Sequence, residues 1–157
     1  MMHDVIIIGG SYSGLSAGLQ LARARRKVLV IDAGQRRNRF AATSHGFLGQ
    51  DGQPPQVIAA EGRSQLMEYP TVTWVQDSVV QASGHLDGFS VRTPCNGAFK
   101  ARRLILATGV VDELPAIPGL KERWGKRVFH CPYCHGYELE QGRIGVLATS
   151  PLAMHHA

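Results

Sequence analysis

The chain has 157 residues, 44% hydrophobic and 18% charged, which suits one ordinary folded domain with a real core and excludes a disordered segment. Its longest apolar runs are too short to cross a bilayer, and Met1-Met2-His3-Asp4 has no basic stretch leading into a cleavable apolar one, so the sequence reads as cytoplasmic with no membrane partner. The net charge of +5 comes from scattered basic residues rather than a patch, which argues against nucleic acid, and three cysteines are too few for a disulfide framework.

Asp4-Val5-Ile6-Ile7-Ile8 is a β-branched run of the kind buried on both faces of a parallel sheet. It leads into Gly9-Gly10-Ser11-Tyr12-Ser13-Gly14. Residues 15–26 carry apolar side chains at Leu15, Leu19 and Ala22, which predicts a helix. Arg23, Arg25 and Arg26 crowd its last turn, where the helix dipole favours cations. Val28-Leu29-Val30-Ile31 predicts a second buried strand and ends on Asp32. That acid stands about 18 residues beyond Gly14, near the roughly 20 expected of a carboxylate that binds a dinucleotide's ribose. Strand, glycine turn, helix, strand and acid form the dinucleotide fingerprint, in which backbone N–H groups at the helix start receive a pyrophosphate. Ser11 departs from it, standing where the pattern has its middle glycine. The plainer alternative is a βαβ packing unit that binds nothing.

Residues 37–55, rich in Gly, Asn, Ser, Asp and Pro, read as a long loop, and loops of that length inside compact domains are usually functional. The cluster Arg36, Arg37 and Arg39 either touches a cofactor phosphate or is solvated; a solvated surface loop is the plainer reading. Residues 56–69 have a helical pattern with Val57, Ile58 and Leu66 apolar, and Pro70 stops it. Residues 72–75 and 78–82 predict strands. Residues 89–93 and 99–101 flank Pro94-Cys95-Asn96-Gly97 as a hairpin, with Cys95 inert. Leu104-Ile105-Leu106-Ala107 predicts another buried parallel strand, ending in Thr108-Gly109, and Pro115 and Pro118 mark a linker.

Cys131-Pro132-Tyr133-Cys134-His135-Gly136 follows. A CxxC that leads into a helical turn puts a thiol near a helix N-terminus, which raises its thiolate fraction, and thiolate is the species that attacks disulfides. Two other readings are a buried idle pair and a metal site, since His130 and His135 flank the cysteines. A four-ligand zinc site needs a second, separated cluster, and the chain has no other CxxC, so no metal is expected. A redox-capable cysteine pair and a nucleotide fold in one chain together suggest electron transfer between a bound cofactor and a disulfide.

In this order, the turn at residues 9–14, Asp32, Ala107-Thr108-Gly109 and the pair Cys131 and Cys134, followed by an expected strand at residues 143–147, resemble the first half of a low-molecular-weight thioredoxin-reductase-like flavoprotein disulfide oxidoreductase. The resemblance covers essentially the whole chain. Gly9-Gly10-Ser11-Tyr12 and Ser44-His45-Gly46-Phe47-Leu48-Gly49 are similar to the branch of dithiol oxidases that close disulfides in natural products such as gliotoxin and holomycin. What the resemblance implies is an α/β fold: a three-layer, doubly wound, Rossmann-like FAD-binding domain over residues 1–114, then the incomplete start of a second, pyridine-nucleotide domain with the CxxC over residues 115–157. It implies FAD along Gly9, Gly10, Ser11, Ser13 and Gly14, with Asp32 on the adenosine ribose. It brings Asn38 and His45 towards the flavin, Val79 to the adenine through its backbone, and Ala107, Thr108 and Gly109 over the cofactor. Carried over by position, Cys134 faces the flavin and Cys131 is the interchange thiol. His135 stands where the thioredoxin reductases carry a proton-transferring acid, and histidine can do the same work near neutral pH; the alternative is a solvent-facing loop histidine.

Beyond the expected strand, the thioredoxin reductases show a second glycine-rich turn, for NADPH. Here the residues are Ala148-Thr149-Ser150-Pro151-Leu152-Ala153. Without the glycines that allow close pyrophosphate approach, NADPH binding is expected to be weak or absent, which suits an enzyme that hands electrons to oxygen. A small dithiol or disulfide, or a thioredoxin-like protein, is the implied substrate, and a homodimer the implied full-length assembly. The sequence stops at Ala157, where Met154, His155 and His156 would begin a helix of the second domain, so either a fragment of a protein about twice as long or a truncated gene product is expected. The competing reading from another class is a non-catalytic FAD- or nucleotide-binding fragment.

Overall fold

In the computed structural model, which describes residues 2–151 and residue 153, the β-branched run becomes strand β1 (Met2–Ile8) and the second apolar run becomes β2 (Val28–Asp32). They pair in parallel, with Val5 opposite Val28 and Ile8 opposite Ile31. The helix between them, α1 (Tyr12–Arg23), begins three residues before the periodicity indicates, because the chain turns helical directly after Ser11. Helix α2 (Pro55–Met67) starts on a proline, whose fixed φ suits a first helical turn. Strand β3 (Val72–Gln76) then pairs parallel to β2.

Strand side chains alternate between faces, and both faces of β1 and β2 are buried. Val5, Ile7, Val28 and Val30 meet Leu15 and Ala22 of α1 and Leu66 of α2. Ile6, Ile8, Leu29 and Ile31 meet Val91 and Ala101. Full burial of each such aliphatic side chain contributes about 1.5–3 kcal/mol, so these two strands anchor the fold.

Val91 and Ala101 belong to an antiparallel unit, β4 (Gln81–His85), β5 (Gly88–Thr93) and β6 (Gly97–Leu106). The sheet order is β3-β2-β1-β6-β5-β4. Helices thus cover one face of the parallel strands, while residues of the antiparallel strands pack on the other. The fold is α/β, three-layered and Rossmann-like, and its second cover is built from strands rather than helices.

Three sequence expectations are corrected. The strand expected at residues 104–107 is the end of the longer β6, which pairs antiparallel to β5 at its start and parallel to β1, Ile7 opposite Ile105, at its end. That end is half-buried and Leu106 is exposed, since α1 and α2 pack on β1, β2 and β3. The strand expected at residues 78–82 moves to β4, because the turn at Leu86 and Asp87 sets its register, His85 opposite Gly88. Residues 143–147 form no strand: no described strand lies beside them to complete a hydrogen-bond ladder, and Ile144 is 63% exposed. The helix start expected at residues 154–156 lies outside the described residues. The 37–55 loop holds a short 3₁₀ turn, Arg37–Phe40, and two short helices occur late in the chain, α3 (Leu120–Arg123) and α4 (Pro132–His135). None of the described helices is long and apolar enough to cross a membrane.

Candidate functional site

The turn after β1 has no room for side chains. Gly9 takes φ +102°, and a Cβ there would stand 2.2 Å from the Ala107 carbonyl oxygen. A Cβ on Gly14 would stand 1.9 Å from the Gly9 carbonyl oxygen, so α1 packs on the turn only without one. A Cβ on Gly10 would meet the Trp74 ring at 2.2 Å. The Gly10 N–H donates to Asp32 Oδ1 at 3.0 Å, which ties the turn to the end of β2. The other Asp32 oxygen has no protein donor among the described residues. Ser11 caps α1 in an extended conformation, and its side chain makes no capping hydrogen bond. The first N–H groups of α1 therefore lack a side-chain partner, and Ser13 beside them is exposed. Open amides over a glycine cradle are what a pyrophosphate requires.

Beside this turn is an open cleft of about 420 Å³, lined by Gly10, Asp32, Arg36, Arg63, Trp74 and Gln76 among others. The Arg63 guanidinium lies 4.4 Å from the Trp74 ring centroid, a cation–π contact. Trp74 Nε1 is buried without a hydrogen-bond partner. Glycine cradle, half-free carboxylate and orphaned indole together fit the adenosine and pyrophosphate of a dinucleotide. Trp74 and Arg63 were not legible as site residues, because they lie on β3 and α2, outside the fingerprint. Only the rarity of a tryptophan in the strand next to Asp32 hinted at it.

Ala107 joins the same turn: its N–H donates to Ile8 O at 2.8 Å, and Thr108 and Gly109 follow, exposed. Asn38 is brought in through Tyr12. The Tyr12 hydroxyl donates to Pro55 O at 3.2 Å and accepts from Asn38 Nδ2 at 3.0 Å. Since the hydroxyl has one proton, this fixes the Asn38 amide with its carbonyl oxygen turned away from Tyr12. His45 lies in the loop with Nδ1 3.6 Å from Asp51 and Nε2 3.5 Å from Glu138. Val79 stands apart, on the connector from β3 to β4, packed against the second core.

The dithiol is built by α4. Cys131 caps this helix with extended backbone, Pro132 occupies its first turn, and the Cys134 N–H donates to Cys131 Sγ at 3.1 Å. Both thiols are free. A hydrogen bond from the Cys134 thiol holds Cys131 below the ordinary thiol range, against the effect of burial; the Cys134 and Tyr133 amides and the Arg37 charge add to it. Donating that bond, and burial, push Cys134 up. The two thiols are thereby made unequal, with Cys131 the more acidic of the pair. The His135 ring stacks on Phe129, centroids 4.2 Å apart at 15°, with Nδ1 buried and unpartnered, so it is not a freely solvated loop histidine. Partial burial and then the Arg37 charge lower His130, which lies 6.1 Å from Trp124, ring to ring.

The arginine cluster is not simply solvated. Arg37 forms a two-pronged ion pair with Asp112, Nε to Oδ2 at 2.9 Å and Nη2 to Oδ1. The pairing raises the Arg37 pKa and lowers that of Asp112. Arg39 lies 4.3 Å from the Phe40 ring centroid, and Arg36 lines the cleft. Composition hid this because the partner acid is 75 residues away. Among the described residues no group of three or more His, Cys, Asp or Glu is placed to hold a metal ion.

Known proteins share this architecture. A solved oxidoreductase from Agrobacterium tumefaciens is 62% identical, with TM-score 0.96, over all of this chain and 53% of its own. The crystal structure of HlmI is similar at 45% identity and TM-score 0.90, over 99% of this chain and 50% of its own. Thioredoxin reductase tcpT of Claviceps purpurea is 40% identical over 152 residues, 95% of this chain and 47% of that protein. The chain thus spans about half the length of the relatives it matches. The family model for pyridine nucleotide-disulphide oxidoreductases matches residues 3–151, and the chain belongs to that family.

Proposed function

We propose that this chain carries the FAD site and the redox dithiol of a thioredoxin-reductase-like disulfide oxidoreductase, with a domain boundary near residue 114. The single observation that supports it most is the Cys134 N–H donating to Cys131 Sγ at the cap of α4, which holds the two cysteines together at a helix start and adds to the acidity of Cys131.

Gly9, Gly10, Ser11, Ser13 and Gly14 would hold the pyrophosphate, Asp32 the ribose, and Asn38, His45, Val79, Ala107, Thr108 and Gly109 the remainder of FAD. When bound, FAD supplies a two-electron acceptor or donor for the dithiol. Cys131 thiolate attacks a substrate disulfide, forming a mixed disulfide and releasing one substrate thiolate. Cys134, losing its proton, attacks the Cys131 sulfur, closes the Cys131–Cys134 disulfide and releases the second substrate thiolate. Run backwards, the same two exchanges oxidise a substrate dithiol. His135, next to Cys134, takes and returns the proton.

A second reading sets the direction. Ala148 and Ser150 stand where glycines would admit a second dinucleotide, and Pro151 stiffens the turn. This favours a dithiol oxidase that uses oxygen rather than NADPH, acting on a small dithiol in preference to a thioredoxin-like protein. We place the enzyme in the cytoplasm, as a homodimer.

Chain supplied with FAD, freed of excess and mixed with dithiothreitol without oxygen should lose flavin absorbance, and air should restore it. Cys131→Ser and Cys134→Ser should each abolish the loss. No retained flavin, or undiminished bleaching in the variants, would refute the proposal. Rapid bleaching by NADPH would remove the oxidase reading alone.

A further inference from the structure

The Phe129 ring lies against the His135 ring, with centroids 4.2 Å apart and planes within 15° of parallel. Both cysteines lie in the stretch of chain between these rings, so the stack closes a loop around the dithiol. Phe129 has a firm support. It follows a turn in which the Arg123 carbonyl accepts from the Lys126, Arg127 and Val128 amides at 3.0–3.1 Å, and the Gly125 N–H donates to Val128 O at 2.9 Å. The turn is itself seated on the loop after β2, where a Cβ on Gly125 would lie 2.5 Å from Phe40 Cβ. His135 ends α4, and Cys131 caps the start of that helix. The other histidine beside the dithiol is held more loosely, since His130 meets Trp124 at 6.1 Å and 36°.

A histidine that carries protons is ordinarily oriented by a carboxylate or carbonyl on one ring nitrogen, while the other does the exchange. His135 Nδ1 is buried and has no such partner among the described residues. Orientation therefore falls to the stack, because a near-parallel aromatic contact is lost when the imidazole swings out of plane. We propose that Phe129 is a positioning residue for proton transfer at the dithiol: its phenyl face does the work of the orienting hydrogen bond, sets the plane of the His135 imidazole and leaves Nε2 to exchange protons with the Cys134 sulfur. This rests on the reading of His135 as the proton carrier of the Cys131–Cys134 pair. In reduction of that disulfide by a dithiol, one thiolate of the dithiol attacks the Cys131 sulfur and the Cys131–Cys134 bond breaks. Cys134 leaves as thiolate and takes the His135 proton, which water restores. The second thiolate of the dithiol then attacks the dithiol's own bonded sulfur, closes its disulfide and releases Cys131 as thiolate, so two electrons pass from dithiol to protein.

The test uses this chain without flavin, oxidised to join Cys131 and Cys134, and follows its reduction by dithiothreitol through alkylation and mass spectrometry. In proton NMR the His135 ring signals, identified by their absence in His135→Gln, should lie upfield of those of an unstacked histidine and move back in Phe129→Leu. His135→Gln should slow reduction about tenfold and Phe129→Leu about threefold, whereas Phe129→Tyr, which keeps the ring face, should stay near the parent rate. On the His135→Gln background, Phe129→Leu should slow reduction no further, because it acts through His135 alone. Circular dichroism checks that each variant is folded. Unshifted His135 ring signals in the parent chain, or a Phe129→Leu effect that persists in full on His135→Gln, would overturn the proposal, the latter by showing a packing role only. An unchanged rate in His135→Gln would instead defeat the proton-carrier reading, and this proposal with it. Failure of the disulfide to form on oxidation would defeat the redox reading on which both stand.

Discussion

The amide of Cys134 points at the sulfur of Cys131 across 3.1 Å. The two thiols of the motif are unequal, chiefly because the Cys134 thiol hydrogen-bonds to Cys131: Cys131 is held below the ordinary range and Cys134 above it. As pH falls from alkaline, Cys134 should protonate first and Cys131 last. At neutral pH Cys131 should therefore alkylate several-fold faster than Cys134. Because Cys134 is raised by its link to Cys131, Cys131→Ala should make Cys134 react at lower pH than before. Site-resolved alkylation measures both; equal rates at the two sulfurs would contradict this account.

Gly14 should tolerate no side chain. Gly14→Ala pushes a methyl group into the Gly9 carbonyl, and overpacking of this kind costs about 1–3 kcal/mol. The midpoint of urea denaturation should fall accordingly. Gly10→Ala should cost a similar amount and be rescued in part by Trp74→Leu, which relieves the clash with the Trp74 ring but not that with Asp32 Cβ. Failure of the rescue would mean that the Trp74 contact is not what excludes a side chain at Gly10.

Asp77 is the keystone of the β5–β6 hairpin. Its Oδ2 accepts from the Cys95 and Asn96 amides and from Asn96 Nδ2. The Asn96 side-chain bond, chief among these effects, lowers Asp77 to about 2. A depressed carboxylate stabilises the fold above its unfolded pKa of 3.8, and that contribution is lost as pH falls towards about 2. The Cys95 and Asn96 amide shifts should move with a midpoint near 2 and become pH-independent in Asp77→Asn. A midpoint at 3.8 would show that these bonds do not form in solution.

Ile144, Val146 and Leu147 are apolar, but their segment, residues 143–148, joins no ladder. Their amides should exchange with deuterium far faster than those of Val5, Ile6, Val28 and Leu29, whose strands are paired on both sides. Protection equal to β1 would mean that this chain supplies them with a partner strand in solution, for example from a second copy.

The unbroken apolar runs of β1 and β2 were legible in sequence because residues buried on both faces leave no alternative period. The glycine turn and Asp32 were legible because their spacing is set by one local strand-turn-helix-strand unit. The CxxC was legible for the same reason: its cap geometry depends on four consecutive residues. What the sequence did not determine depends on distant partners. The short apolar run at residues 104–107 cannot show that its strand began at Gly97 and pairs in two directions, since pairing is chosen by β1 and β5. The apolar run at residues 143–147 has strand character, but a strand exists only where another offers its backbone. Arg37 looked like one of three loop arginines; only the fold brings Asp112 to it across 75 residues. Trp74 and Arg63 became site residues only once β3 and α2 packed beside Gly10. Local backbone geometry and burial pattern are written in neighbouring residues, whereas ion pairs, cation–π contacts and strand partners are fixed by chain closure over long separations.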